Sequence, residues 1–258
     1  MPSDNFKAST WQSLIKFDKK NNFFAVKKAV LIGLSGGADS VSLAHFVSQM
    51  GRKKHFAVFA CHVNHGLRKN AARDAAFAKK TAEALGLTFI LKKVDVKKLC
   101  KKEGLSTEHG ARRLRYKALL EAAKKCGCAK IALAHHADDN AQTILLNILR
   151  GTKAKGLLGI PVKRVLSGVE IMRPFLCITR KEVLSYIKEH GLSYIDDETN
   201  FEDIYTRNWV RAKLLPLLES KQPKIKRHLL DIAADLSRYI ASNDEPQTKA
   251  RSAGRRKA

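Results

Sequence analysis

The segment Ala29-Val-Leu-Ile-Gly-Leu-Ser-Gly-Gly-Ala-Asp-Ser-Val-Ser-Leu-Ala-His-Phe-Val47 decides the fold of this chain. Its first six residues are a short apolar run that predicts a buried strand, and Ser35-Gly36-Gly37-Ala38 cannot continue it. From Asp39 the apolar spacing turns helical. A strand, a glycine turn and a helix N-terminus in succession aim backbone N–H groups at one point, where the helix adds the positive end of its dipole. That point suits phosphate. Gly36 and Gly37 are expected to allow close backbone approach and positive φ, and the Ser35 and Ser40 hydroxyls to donate further bonds. Asp39 would repel a polyanion unless a cation stood between them, and Mg²⁺ is the candidate. No lysine follows the second glycine, so this is not the GxxxxGK[ST] loop.

Working outward, the same alternation recurs. Strands are expected at 57–63, 88–96 and 129–134, and helices at 40–50, 70–85, 108–125 and 138–150. This is an α/β pattern, a Rossmann-like parallel sheet with helices on both faces. Ligands in such sheets lie beyond the carboxyl ends of the strands. Three polar clusters fall there: SGGADS (35–40), His62-Val-Asn-His65-Gly-Leu-Arg68, and His135-His136-Ala-Asp138-Asp139. His62 and His65 join the mouth of the crevice. In the last cluster Asp139, Gln142 and Thr143 share one helix face, while Ile144, Leu145 and Ile148 are expected in the core. Asp138 is a candidate helix cap, and His136 and Asp139 are candidates to bind Mg²⁺, orient ATP or relay a proton. Arg112 and Arg115, three apart on the 108–125 helix, offer planar forks that suit phosphate.

The chain has 258 residues, 45% of them hydrophobic, and 49 basic against 24 acidic side chains leave a net charge of +25. Such an excess points to a polyanionic partner, nucleic acid before membrane. There is no apolar stretch of roughly 20 residues and no signal-peptide core, so a cytoplasmic protein without membrane contact is expected. The five cysteines lack CxxC spacing, and reduced thiols are the default; Cys126-Gly127-Cys128 reads as a turn ahead of a buried strand. Four segments are expected: an N-terminal helix within 1–24 packed on the outside, the main domain at 25–220, a helical extension at 221–242, and a disordered basic tail at 243–258.

SGGADS resembles the SGGxDS loop of the PP-loop ATP pyrophosphatases. Together with HVNHGLR, ARxxRY (111–116), AHHADD, RGTxxxGLLGI (150–160), Arg173-Pro174-Phe175 and DxTNxxxxYxRNxVR (197–211), it occurs in the order seen in tRNA(Ile)-lysidine synthetases. The resemblance implies ATP-dependent adenylation of the C2 oxygen of the wobble cytidine in a CAU-anticodon isoleucine tRNA. The ε-amine of free lysine then displaces AMP. By this resemblance Ser35, Gly36, Gly37, Ala38, Asp39, Ser40, His62 and His65 bind ATP, and Asp39 and Asp139 hold Mg²⁺. Asp39, His136, Asp139 and Gln142 are catalytic, and Arg112, Arg115, Arg207 and Arg211 contact tRNA. The oligomeric state is left open, with a dimer among the options. Gln142 departs from the family's glutamate, and Lys153 from its glycine. A PP-loop tRNA thiolase, or a relative that binds tRNA or nucleotide without catalysis, are the alternatives.

Overall fold

The computed structural model describes residues 4–25, 28–67, 70–195 and 206–243. The described residues form two compact units, the first built from the chain up to Asp138 with the segment from Pro161, the second from Asp139–Ile160 with the C-terminal helices.

In the first unit six strands pair in the order β3-β2-β1-β4-β6-β5. They are β1 (Val30–Gly33), β2 (Val58–Asn64), β3 (Thr88–Lys93), β4 (Lys130–Ala132), β5 (Lys163–Leu166) and β6 (Val169–Met172). All neighbours are parallel except β5 and β6, an antiparallel hairpin at one edge. The sheet is thus mostly parallel, as expected, with an antiparallel edge strand added. Helices α1 (Asp4–Asn21), α2 (Ala38–Lys54), α3 (Ala71–Ala84), α4 (Val96–Glu103) and α5 (Thr107–Lys125) accompany it. Helix α6 (Ala137–Leu149) opens at the end of this unit, and α8 (Arg180–Glu189) closes it, after a short α7 (Ala154–Leu157) and a 3₁₀ turn at Pro174–Cys177.

Strand β1 is hydrogen-bonded on both edges, so its side chains are covered on both faces. Ile32 enters one apolar cluster with Phe24, Phe46, Val47 and Phe175, while Leu31 enters another with Leu119, Ala122 and Ile131. Helix α1, expected on the outside, instead joins the first cluster. Leu14 is 1% exposed, Trp11 meets Phe46 edge-on at 5.2 Å, and Asp18 accepts from Lys54 Nζ at 2.7 Å and from the Phe24 N–H at 3.1 Å.

Helices α2 and α8 are joined by a polar contact, His45 Nδ1 with the Tyr186 hydroxyl at 2.8 Å. Burial pushes the Tyr186 phenol up, so its O–H is retained and donates. Burial, assisted by the charges of His190 and Arg52, lowers His45 to about 4.

The second unit has its own core. Ala141, Ile144, Leu145 and Leu146 of α6 pack with Val210, Leu215, Leu229 and Ala233. The latter lie on α9 (Thr206–Trp209), a π turn at Val210–Leu214, α10 (Leu215–Lys221) and α11 (Ile225–Asn243). Ile148, expected in the core, is 50% exposed. It sits one turn beyond Leu145, near the end of α6, where Leu149 is exposed as well. The expected basic tail lies, from residue 244 on, outside the described residues.

The His45 contact carries a pH signature. In the unfolded chain the imidazole takes a proton near its ordinary 6.5, in the folded chain only near 4. The unfolded state therefore binds more protons between these values, so this contribution is complete above pH 6.5 and is lost as pH falls toward 4. Urea unfolding at pH 7 and at pH 4.5 is expected to give a drop that His45→Gln reduces; an equal drop in the variant would refute the assignment.

Candidate active site

Parallel pairing places the carboxyl ends of β1, β2 and β4 side by side. The strand order reverses between β1 and β4, because the chain runs from β1 outward through β2 and β3 and then returns to β4 on the other side. The turn at 35–37 and the segment 133–136 therefore flank the topological switch point, where open α/β sheets hold ligands.

The turn is knitted by the Ser40 hydroxyl. Ser40 Oγ donates to the Gly37 carbonyl at 2.9 Å and accepts from the Ser35 and Gly36 N–H groups, each at 3.1 Å. Since its proton is used on Gly37, the 3.0 Å contact with Ser35 Oγ has Ser35 as donor. The two glycines are not equivalent. Gly36 has φ +97°, and a Cβ there would meet the Phe77 ring at 3.3 Å. Gly37, expected to share that conformation, has φ −73° and ψ 160°, because it is the N-cap of α2 and must be extended there. The Gly36 carbonyl accepts from the Ile195 N–H at 3.0 Å. Ala38 opens α2 and is buried.

His62 lies at the end of β2, 6% exposed, its Nδ1 2.9 Å from the Leu34 carbonyl just before the turn. Burial holds this imidazole below its ordinary value, against that hydrogen bond and the Asp74 charge. A neutral ring donating to Leu34 braces the turn from beneath. His65 follows in a half-buried loop, where the Gly66 N–H bonds to Asn64 Oδ1 at 2.9 Å.

Asp39 is in the first turn of α2, and its cation is a protein group. Arg180, the first residue of α8, forms an ion pair with Asp39 Oδ1. His136 stands between two carboxylates, Nε2 3.7 Å from Asp39 Oδ1 and Nδ1 3.6 Å from Asp138 Oδ2. These separations are ion-pair contacts, too long for hydrogen bonds. Asp138 Oδ2 also accepts the Arg180 backbone N–H at 2.7 Å. An arginine opposes the dipole at a helix N-terminus, and Asp39 and Asp138 offset it. Asp138, read as a cap for its own helix, in fact serves α8. Arg180 was missed, although Thr179 and Glu182 form a capping box that marks the start of its helix.

Arg112 and Arg115 lie on α5 with their guanidinium carbons 5.4 and 5.8 Å from the centre of the Tyr116 ring. The remaining expected residues belong to the second unit. Asp139 Oδ1 lies 3.9 Å from Arg207 Nη2, Gln142 is 6% exposed, and Arg211 is exposed within the π turn. Residues 197–205 of the DxTNxxxxYxRNxVR motif lie outside the described residues.

The thiols do not suggest sulfur chemistry. Burial pushes Cys61, Cys128 and Cys177 each up to about 12, which keeps them protonated at neutral pH.

Comparison with known proteins agrees with this geometry. The model of the PP-loop domain matches residues 9–218. A tRNA(Ile)-lysidine synthase of Clostridium perfringens (strain 13 / Type A) is 39% identical over 236 residues, covering 90% of this chain and 48% of the relative. One from Petrotoga mobilis is 34% identical over 229 residues, covering 88% of this chain and 72% of the relative. Among solved structures, the U34-tRNA thiolase NcsA from Methanococcus maripaludis with its [4Fe-4S] cluster superposes with a TM-score of 0.71 at 21% identity, over 92% of this chain and 79% of that one. That likeness concerns the fold. The chain belongs to the PP-loop family and, within it, to the tRNA(Ile)-lysidine synthases. It spans about half the length of several of the relatives it matches.

The two glycines supply a paired test. Gly36→Ala is expected to destabilise by about 1–2 kcal/mol, the cost of a Cβ in left-handed backbone, and Gly37→Ala by no more than about 0.5 kcal/mol. Urea unfolding compares them; equal losses would refute the different conformations assigned to them.

Proposed function

We propose that this protein is a cytoplasmic ATP-dependent ligase that modifies the wobble cytidine of a CAU-anticodon isoleucine tRNA with lysine. The observation that carries the reading is the meeting, at the sheet's switch point, of the glycine turn with the Asp39, His136, Asp138 and Arg180 cluster. In the first step the C2 oxygen of the cytidine attacks the α-phosphorus of ATP, and diphosphate leaves. In the second the lysine ε-amine attacks C2, AMP departs with its oxygen, and the amine loses a proton.

Each residue has a part in this scheme. The 35–40 turn binds the diphosphate through its N–H groups and serine hydroxyls. Mg²⁺ fits here because it is commonly held by one or two carboxylates together with substrate phosphates, and Asp39 supplies a carboxylate beside the turn. Bound, it would neutralise charge on the leaving group. Arg180 shares Asp39 and can take up phosphate charge when that carboxylate turns to the metal. Free lysine has a pKa near 10.4 in water, so its ammonium must be held and deprotonated. His136 and Asp139 are assigned to that proton, with Gln142 as a hydrogen-bonding partner for the amine. Asp139 is the second carboxylate open to Mg²⁺. Arg112, Arg115, Arg207 and Arg211 are assigned to RNA phosphates.

Gln142 motivates one competing reading, a relative that binds tRNA without transferring lysine, since an amide cannot neutralise an ammonium. Incubating bacterial tRNA with labelled lysine, ATP and Mg²⁺ separates the two. Label in the isoleucine tRNA is expected for the wild type, reduced by roughly 10²–10³-fold in Asp39→Ala. Label with Gln142→Glu but not the wild type would favour the binding reading, and label with neither would overturn the proposal.

A further inference from the structure

A groove that the proposed chemistry leaves unused runs along α5. Helix α5 forms one wall, and residues 164–167 of the β5–β6 hairpin form the other. Its volume is about 760 Å³, with Leu105, Leu120 and Leu166 as apolar lining and Arg112, Lys117, Lys124 and Arg164 among its cations. Of the other charged groups there, Glu121 pairs with Lys92 at 3.6 Å, and Arg113 pairs with Glu103. Arg112, Arg164, Lys117 and Lys124 have no carboxylate partner among the described residues.

Tyr116 sits at the centre. Its ring is approached by the guanidinium carbons of Arg112, Arg115 and Arg164 at 5.4, 5.8 and 5.7 Å, and its hydroxyl accepts from Arg173 Nη2 at 3.4 Å. Arg173 is 3% exposed, with Nη1 on the Pro161 carbonyl at 2.6 Å. Burial raises the Tyr116 phenol, yet the charges of Arg173, Arg112 and Arg115 bring it below its ordinary value, a sign of strongly positive potential. Four guanidinium groups around one ring repel one another, and folding alone gains little from collecting them. A polyanion relieves that repulsion.

We infer that the groove is an RNA-contact surface that takes a single-stranded stretch, its phosphates on Lys117, Lys124 and Arg164 and a base against the leucine lining beside the Tyr116–arginine stack. This rests on the reading of tRNA as substrate and adds a surface distinct from the glycine turn. Cations beside apolar and aromatic surface match the two halves of a nucleotide, stacking faces and charged backbone. An acidic peptide would satisfy the cations and leave the stack unused. The volume falls within the roughly 300–1,000 Å³ of small-ligand sites, large enough for a nucleotide.

Fluorescence anisotropy with a short labelled single-stranded RNA of anticodon-loop sequence tests the inference. Lys124→Glu and Arg164→Glu alter exposed side chains outside the proposed catalytic groups, so folding and ATP binding, checked by melting and calorimetry, should be retained. Each is expected to weaken RNA binding roughly tenfold at moderate salt, and to flatten the dependence of log affinity on log salt by about two for the charge reversed. Wild-type affinity and salt slope in both variants would overturn the inference. So would failure of the wild type to bind the RNA, or displacement of the RNA by polyglutamate as readily as by unlabelled RNA. A wild type that binds RNA through these residues but incorporates no lysine would sink the ligase reading and leave the groove standing.

Discussion

The constraint on which the rest depends is the burial of β1 between two parallel neighbours. A strand hydrogen-bonded on both edges and covered on both faces can hold no charge along its length, which is why residues 30–34 are apolar apart from one glycine. Each parallel pairing also requires a crossover, and the right-handed crossovers on either side of β1 turn opposite ways along the sheet. The gap this leaves at the carboxyl ends is where α2 begins and where the chain after β4 arrives. Core and site are therefore consequences of one arrangement: the same hydrogen bonds that bury Leu31 and Ile32 set the glycine turn opposite His136.

Charge at that gap is arranged with similar economy. Two carboxylates and a histidine in a small region would repel a phosphate chain, and Arg180 changes that balance. Its backbone N–H and its guanidinium are held by different aspartates, so the first residue of α8 is gripped at both ends. The helix is in turn fixed against α2 through His45 and Tyr186, so the position of the guanidinium is set by packing as well as by charge.

Much of this was legible in the amino-acid order, for local reasons. The apolar run, the glycine pair and the switch from period two to period 3.6 lie within nineteen residues and depend on nothing distant. What could not be read depends on approach between separate elements. Composition does not say which of two adjacent glycines takes positive φ, because that follows from which one caps the helix. Arg180 lies 141 residues from Asp39 in sequence and meets it only through the packing of α8 on α2. Periodicity placed Ile144 and Leu145 correctly but carried Ile148 inward too, since it cannot say where along a helix its cover ends. The common core of α6 with the C-terminal helices is a discontinuous grouping that a reading in linear order does not reveal.

The open edge of the sheet has a consequence of another kind. Strand β5 has no neighbour on its outer side among the described residues, and Val165 on it is 68% exposed. An unpaired strand of this sort is a template on which another chain can add itself, and long side chains with like charge are a common defence. Lys163 and Arg164 stand immediately before that valine. The cations that make the neighbouring groove attractive to an acidic polymer thus also discourage the sheet from growing, and a lineage that lost its need for the polymer would still have reason to keep them.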